Sequence, residues 1–270
     1  MKKVLKYLFL AVLVFTIYQL GLVIIKGVYT NDEKQTLVSE HFNVYFHQVS
    51  SWDAENIAYK LENNFRRITE DLLAQTPPKI HVYIHPNKME FYHKVGFDAY
   101  GAIKGIDTLH LLYTRFPVSW IMPMEEIAVH EFTHNITLQI LVHEAISKGE
   151  ISSIHGFDSL YSQGGKRFDE IYPRWIWESI AVYEARQYNL FSLYMSLKDG
   201  FPNLKTLNEP NNLVYNVGFT LIDFIIKRWG KDKVIALLKN NGDVGETLGL
   251  TDKEFERQWE LFVKDKFWIL

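Results

Sequence analysis

A change in hydrophobic pattern at Pro123 constrains the fold of this chain more than any other feature. Before Pro123, residues 41–47 and 79–85 are rich in alternating apolar and polar residues, which is typical of β-strands with one buried face. Residues 99–114 predict one or two further strands around Gly105. After Pro123, apolar residues recur at helical spacing. This order predicts an α+β fold in which a mixed sheet with helices precedes an all-helical half.

Helices are predicted on both sides of this change. Residues 51–76 carry Ile57, Leu61, Phe65 and Ile68 at helical spacing. A later helix begins at a proline, has acids in its first turn and ends at a glycine, all of which are helix boundary signals. The remaining predicted helices lie at 86–96, 123–149, 173–187, 211–230, 231–241 and 252–267.

The first 30 residues differ from the rest. Three lysines, at positions 2, 3 and 6, precede an uncharged run from Tyr7 to Ile25. The run is close to the roughly 20 residues that a helix needs to cross a bilayer, and no small-residue cleavage site follows it. It predicts an uncleaved transmembrane signal anchor at 1–30 and a single-pass cell-membrane protein whose remaining domain, residues 31–270, is extracytoplasmic. The alternatives are a cleaved signal peptide, with a secreted product, and a buried helix.

Composition excludes several kinds of site. The chain contains no cysteine, which rules out disulfides, thiolate metal ligands and a cysteine nucleophile. The net charge is −3, and no cluster of lysine and arginine interrupts the sequence after the N-terminal segment. Nucleic acid is therefore not a predicted partner.

The stretch "AVHEFTHNI", residues 128–136, predicts a metal site. A helix places His130 and His134, four residues apart, on one face at ligand distance from a single ion. Glu131 points about 100° away around the axis, toward the side where water binds, so that it acts as a general base. Zinc is the expected metal. The alternative is a polar histidine pair on an ordinary helix.

The segment "WIWESIAVYEA", residues 175–185, contains a candidate for the third metal ligand. Glu178 lies among apolar and aromatic residues, where an unpaired carboxylate needs a cation or a proton. It competes with Glu184 on the same helix, and the two cannot face one ion. A structural alternative is an ion pair between Glu178 and Arg174, one helical turn earlier.

These two motifs resemble the zinc site of gluzincin metallopeptidases, in particular the aminopeptidase-N-like and related peptidase MA-like families. Their second helix typically reads W-L-x-E-G-x-A, and this chain has "WIWESIA". The resemblance implies a zincin-like fold, with His130, His134 and Glu178 as Zn²⁺ ligands and Glu131 as the general base. Ser179 stands at the usual glycine. Metzincins are excluded because Thr137 and Ile140 replace their glycine and third histidine.

Two further segments bear on the resemblance. "VYNVGFTLIDFI", residues 214–225, is similar to the family's Y-x-x-G helix, which implies that Tyr215 stabilises the oxyanion, although a structural role stays open. In "GAIKG", residues 101–105, Lys104 replaces the glutamate that binds the substrate's amine in aminopeptidases. The segment 149–172 is an insertion that could cover the cleft.

The sequence therefore predicts a zinc-dependent peptidase that hydrolyses peptide or protein substrates outside the cytoplasmic membrane, to which its N-terminal helix attaches it. Endopeptidase activity is favoured over aminopeptidase activity because Lys104 would repel an ammonium group. The alternative is a catalytically silent zincin-like surface protein that binds a partner or a cell-wall component. Such a protein has no need of Glu131. A different metal-dependent hydrolase is a third possibility.

Overall fold

The computed structural model describes residues 2–28, 33–75, 77–115, 118–153 and 172–267. Within these ranges the chain forms five strands and twelve helices. The strands are β1 (Gln35–Val38), β2 (Phe42–Phe46), β3 (Ile80–His85), β4 (Gly101–Ile103) and β5 (Thr108–Leu112). The helices are α1 (Lys2–Val28), α2 (Ser51–Asp71), α3 (Lys88–Val95), α4 (Val118–Ile121), α5 (Met124–Ser147), α6 (Arg174–Glu184), α7 (Leu190–Leu197), α8 (Leu204–Asn208), α9 (Leu213–Trp229), α10 (Lys231–Lys239), α11 (Val244–Leu248) and α12 (Asp252–Phe267).

The strands form one mixed sheet in the order β1-β2-β3-β5-β4. The three central strands are parallel, and the two edge strands, β1 and β4, run antiparallel to their neighbours. The predicted α+β class, with a mixed sheet followed by helices, is confirmed. β1 was not predicted, because its short sequence is only partly buried and carries no strong apolar alternation.

Helices α2 and α5 cover one face of the sheet. The alternating positions of the central strands that point to this face, such as Val44, Val82 and Leu109, are fully buried. Phe132 of α5 joins the layers, since its ring lies 5.2 Å from that of Phe42 in β2. Burying side chains of this size stabilises the fold by about 1.5–3 kcal/mol each, and it fixes α5 against the sheet.

The helical half packs around α6, whose main partners are α9 and α5. Glu184, at the end of α6, is 3% exposed and forms an ion pair with Arg67 of α2. Because the Glu184 carboxylate is paired with the Arg67 guanidinium, it does not compete with Glu178 for a metal ion. At the far side, the Trp259 indole of α12 donates to the Thr220 hydroxyl of α9 at 2.9 Å.

The predicted transmembrane helix is wrong. Residues Lys2–Val28 do form a helix, α1. A membrane span needs about 20 consecutive apolar residues to match the hydrocarbon thickness of a bilayer. In the part of the chain that the structure describes, no helix combines the required length with the required apolar character. The predicted single-pass topology and the cell-membrane localisation rested on that span and are contradicted by the same finding.

The other face of the sheet carries a row of rings at one register position. Tyr45 of β2 pairs with Tyr83 of β3, which pairs with His110 of β5. The ring centroids are 4.7 Å apart for the two tyrosines and 5.4 Å apart for Tyr83 and His110. Nδ1 of His110 lies 2.9 Å from Nε2 of the buried His85. Burial, together with the charge of His85, lowers the pKa of His110 to about 4.

This low pKa makes His110 a source of acid sensitivity. An unfolded chain protonates a histidine near pH 6.5, whereas the folded chain resists protonation of His110 down to about pH 4. Its contribution to stability is therefore present above pH 6.5 and is lost as the pH falls toward 4, by at most about 3 kcal/mol. We expect the difference in unfolding free energy between wild type and His110→Leu, measured by urea denaturation, to become smaller as the pH falls from 6.5 to 4. A difference independent of pH would contradict the expectation.

Candidate metal centre

Helix α5 presents two histidines to one point. It begins after Pro123, and Glu125 lies in its first turn, where a negative charge favours the helix dipole. His130 and His134 are one turn apart and are 7% and 6% exposed. Their Nε2 atoms lie 3.1 Å apart. Two buried imidazole nitrogens that face each other at this distance need a proton or a cation between them.

Helix α6 brings Glu178 to the same point. Its Oε2 atom lies 3.3 Å from Nε2 of His130 and 3.4 Å from Nε2 of His134. This oxygen is buried, yet it forms no hydrogen bond of good geometry with any residue that the structure describes. A buried carboxylate oxygen in that state is costly unless a positive charge approaches it. The three side chains together could hold a metal ion.

Neighbours of the histidines fix their orientation. Nδ1 of His130 lies 3.0 Å from the side-chain oxygen of Gln187. Because an amide oxygen only accepts, Nδ1 carries the proton and Nε2 presents its lone pair to the site. The His134 ring stacks on Trp177, with centroids 4.6 Å apart and planes inclined by 8°. His130 is thus oriented by a hydrogen bond and His134 by ring stacking. In metal sites, contacts with residues around the ligands orient the ligands in this way.

The charges of the metal-holding group, His130, His134 and Glu178, favour binding of a cation. Burial acts to raise the pKa of Glu178, but contacts with the two histidines outweigh it and hold the pKa below its usual range. Burial lowers the pKa of His134, so this imidazole stays neutral. Burial also acts against protonation of His130, but the contact with Glu178 raises its pKa. A negative carboxylate beside a neutral imidazole is a donor set that attracts a metal ion.

Glu131 lies beside this group and outside it. The side chain is 8% exposed. Burial, reinforced by the charge of Glu178 and opposed by His130, raises its pKa to about 7. A carboxyl group with this pKa can both accept and return a proton near neutral pH. Glu131 is thus a buried carboxyl group in the cleft lining, next to the metal-holding group, with a pKa near neutrality.

The edge strand β4 touches Glu131 at a glycine. A Cβ atom on Gly101 would lie 2.6 Å from both Cγ and Oε1 of Glu131 and 2.8 Å from Cγ2 of Ile127. These distances are far shorter than van der Waals contact. Only a residue without a side chain lets the strand approach the general-base candidate this closely.

Gly101→Ala is therefore expected to displace the Glu131 carboxylate and to destabilise the protein by about 1–3 kcal/mol, the usual cost of overpacking. Denaturation in urea measures the loss. The matched control is Gly21→Ala, because a Cβ atom there meets nothing within 4 Å. Equal stability of the Gly101→Ala variant and wild type would contradict the close approach.

Polar side chains of α5 anchor the turn between β4 and β5. The Asn135 amide donates to the carbonyl of Gly105 at 3.0 Å, and the Gln139 amide donates to that of Ile106 at 2.7 Å. These two residues are one turn apart on α5, like the histidines. Lys104, in the same turn, is exposed and does not line the cleft. The bonds fix the edge strand relative to the histidine-bearing helix.

Tyr215 of α9 lies at the mouth of the site. Its ring centroid is 6.0 Å from that of His130, and the residue is 37% exposed. Arg174 does not pair with Glu178, which was the structural alternative. Its Nη2 atom lies 3.5 Å from the Tyr215 hydroxyl, and its Nη1 atom donates to the carbonyl of Glu209. Arg174 therefore contacts Tyr215 and the loop before α9.

Helices α6 and α9 approach closely next to Glu178. A Cβ atom on Gly218 would lie 2.5 Å from the Ser179 hydroxyl and 3.0 Å from its Cα. Ser179 is fully buried, and its hydroxyl forms no hydrogen bond within the described residues. The glycine of the "YNVG" stretch thus makes room for the Ser179 side chain.

These residues enclose a cleft of about 420 Å³. Besides the metal-holding group, its walls include β4 and the side chains of Phe97, Leu138 and Trp177. The lining of the cleft is mainly apolar, as in many ligand sites. The predicted covering loop, 149–172, lies almost entirely outside the described residues, which end at 153 and resume at 172.

Three contributors were not predicted from the sequence: Gln187, Trp177 and Gly101. Gln187 lies beyond the end of α6, and nothing in its neighbourhood in the sequence indicates a bond to His130. Trp177 precedes Glu178, and its aromatic character alone did not distinguish stacking from core packing. Gly101 lies within the predicted strand segment 99–114, and a glycine inside a strand was the only available indication of a close approach.

No protein-family model matches the chain, and a search of curated proteins found no match.

Proposed function

We propose that this protein is a zinc-dependent peptidase of the gluzincin type. The supporting observation is the convergence of Nε2 of His130, Nε2 of His134 and Oε2 of Glu178, which lie 3.1–3.4 Å from one another. Zinc binds nitrogen and oxygen at about 2.0–2.2 Å, so neighbouring ligands of a tetrahedral ion are about 3.4 Å apart. Two imidazoles and one carboxylate leave the fourth position for water or substrate, as in catalytic zinc sites.

Bound zinc would lower the pKa of water toward about 7 and polarise a carbonyl group. Glu131 would take the proton from the attacking water and return it to the leaving amine. Its own pKa of about 7 suits both transfers. Gly101 keeps the edge strand within contact of this carboxylate, so that a substrate backbone along β4 passes beside the proton acceptor.

Tyr215 would donate a hydrogen bond to the oxygen of the carbonyl under attack. Burial and the charge of Glu178 raise the pKa of its hydroxyl, so the group remains a proton donor at neutral pH. Arg174, over the tyrosine ring at 5.8 Å, contributes a positive charge on the same side. Both features favour a carbonyl oxygen that gains negative charge.

An endopeptidase is favoured over an aminopeptidase. Among the described residues that line the cleft, the only acids are Glu131 and Glu178, which the proposed chemistry already uses. A substrate's terminal ammonium group would therefore find no carboxylate of its own. This supports cleavage within a chain instead of removal of its first residue.

Zinc-dependent cleavage of a peptide library by the full-length chain tests this proposal. We expect internal cleavage that stops on treatment with 1,10-phenanthroline and returns when zinc is added. Mass spectrometry of the products locates the cut relative to the N-terminus. Absence of cleavage in the zinc-loaded protein, or cleavage that chelation does not change, would contradict the proposal. Release of only the first residue would contradict the endopeptidase assignment.

A further inference from the structure

A second pocket, of about 700 Å³, opens where the three parallel strands end. Its walls come from the residues that follow β2, β3 and β5 in the chain, together with the start of α3. These residues include Gln48, 86–88 and 113–115. Crevices at the carboxyl ends of parallel strands are the common binding position of open sheets with helices. This pocket takes no part in the peptidase chemistry proposed above.

The charge of this pocket is positive. Lys88 and Arg115 are exposed at its wall, and neither forms an ion pair with any residue that the structure describes. None of the described lining residues is acidic. The nearby Asp53 accepts a hydrogen bond from the Tyr113 hydroxyl at 2.6 Å, and Arg115 lies over the Tyr113 ring at 5.6 Å. Among the described residues, the crevice is therefore lined by two cations and by no acid.

A buried donor in the pocket also lacks a partner. Thr114 is 8% exposed, and its hydroxyl oxygen is buried without a hydrogen bond in the described part of the chain. A buried hydroxyl in this state costs free energy that a bound ligand would recover. The pocket also adjoins the start of α3, where the backbone amide of Glu90 donates a hydrogen bond to Oδ1 of Asn87 at 3.0 Å. The first backbone amides of a helix have no acceptor within it and favour an anion.

We propose that this pocket binds an acidic side chain of the peptide substrate, an inference that rests on the proposed peptidase function. The two sites follow each other along β4, since Tyr100 lines the second pocket and Gly101 lines the catalytic cleft. A substrate that extends along this edge past Gly101 reaches the crevice at the strand ends. Its acidic group would meet the two cations, the free hydroxyl and the helix start.

The separation of the two sites sets the position of that acid. The Thr114 amide contacts the sulfur of Met124 at 3.3 Å, which places the pocket beside the start of α5. Glu131 lies about two helical turns further along α5, or about 10 Å. An extended peptide covers this distance in about three residues. The preferred acid therefore lies about three residues from the scissile bond.

Binding of uncleaved peptides tests the inference. Decapeptides with one glutamate moved through the sequence, and an all-glutamine counterpart, are titrated into zinc-loaded Glu131→Gln protein by fluorescence anisotropy. We expect one glutamate position to improve the dissociation constant about tenfold. The double variant K88E/R115E should abolish this advantage, and Thr114→Val should reduce it several-fold. The matched charge control is the double variant K205E/K253E, which replaces exposed lysines of α8 and α12 and should retain the advantage.

Equal affinity for all peptides, or a preference that persists in the double variant, would overturn the inference. Binding of inorganic phosphate without any preference for acidic peptides would also overturn it, because the pocket would then serve a free anion. Failure of the peptidase proposal looks different. In that case the wild-type chain cleaves no peptide, whatever the result of the anisotropy titrations.

Discussion

Replacement of Glu131 by glutamine is expected to abolish peptide cleavage while zinc remains bound. The side chain lies outside the metal-holding group, so its loss leaves His130, His134 and Glu178 in place. A glutamine of nearly the same shape cannot accept the proton of the attacking water. Loss of a general base typically lowers the rate by a factor of about 10²–10⁴. The kcat/KM for a peptide found in the library, measured beside zinc content, tests this expectation.

The matched control for this variant is Glu125→Gln. Glu125 lies in the first turn of the same helix and does not line the cleft. Its replacement should leave both zinc content and cleavage unchanged. Wild-type activity in the Glu131→Gln protein would contradict the assigned proton transfer. Loss of zinc together with activity would make Glu131 part of the metal site instead.

Replacement of Glu178 by glutamine is expected to weaken zinc binding by more than about a hundredfold. A neutral amide removes the only negative charge among the three ligands, and the two imidazoles alone hold a divalent ion poorly. Competition with a coloured chelator measures the dissociation constant. Circular dichroism confirms that the variant is folded.

Glu184→Gln is the control on the same helix. The Glu184 carboxylate pairs with Arg67 and lies outside the metal-holding group, so this change should lower stability and leave zinc affinity intact. Equal zinc affinity of the Glu178→Gln and wild-type proteins would contradict the ligand assignment.

Local sequence patterns predicted much of the fold. The spacing of Ile57, Leu61, Phe65 and Ile68 placed a helix at 51–76, and the structure has α2 at Ser51–Asp71 with these four residues buried. Such patterns work because burial of one face imposes its period directly on the sequence. β1 escaped prediction because it has little buried surface to impose a pattern.

The metal-holding group was predictable for a related reason. His130 and His134 belong to one helix, so their spacing in sequence fixes their spacing in the molecule. Glu178 was inferred from its apolar surroundings, and the structure brings it to both histidines. Gln187 could not be inferred, because its contact with His130 depends on how two helices pack.

The N-terminal prediction shows the limit of composition. A basic start and an uncharged run from Tyr7 to Ile25 predicted a membrane span, and this prediction is contradicted by the finding that no described helix is long and apolar enough to cross a membrane. Apolar residues at helical spacing indicate which face of a helix is buried. An uninterrupted apolar run indicates only that contact of these side chains with water is unfavourable. It does not specify whether protein or lipid surrounds them.

X-ray absorption at the zinc edge of the purified full-length protein tests the central claim most directly. The predicted result is one zinc ion per chain, bound to two imidazoles and to oxygen ligands at about 2.0–2.2 Å. The imidazole signal should correspond to two rings, those of His130 and His134. Absence of stoichiometric zinc after zinc loading, or a coordination shell without two imidazoles, would contradict the claim.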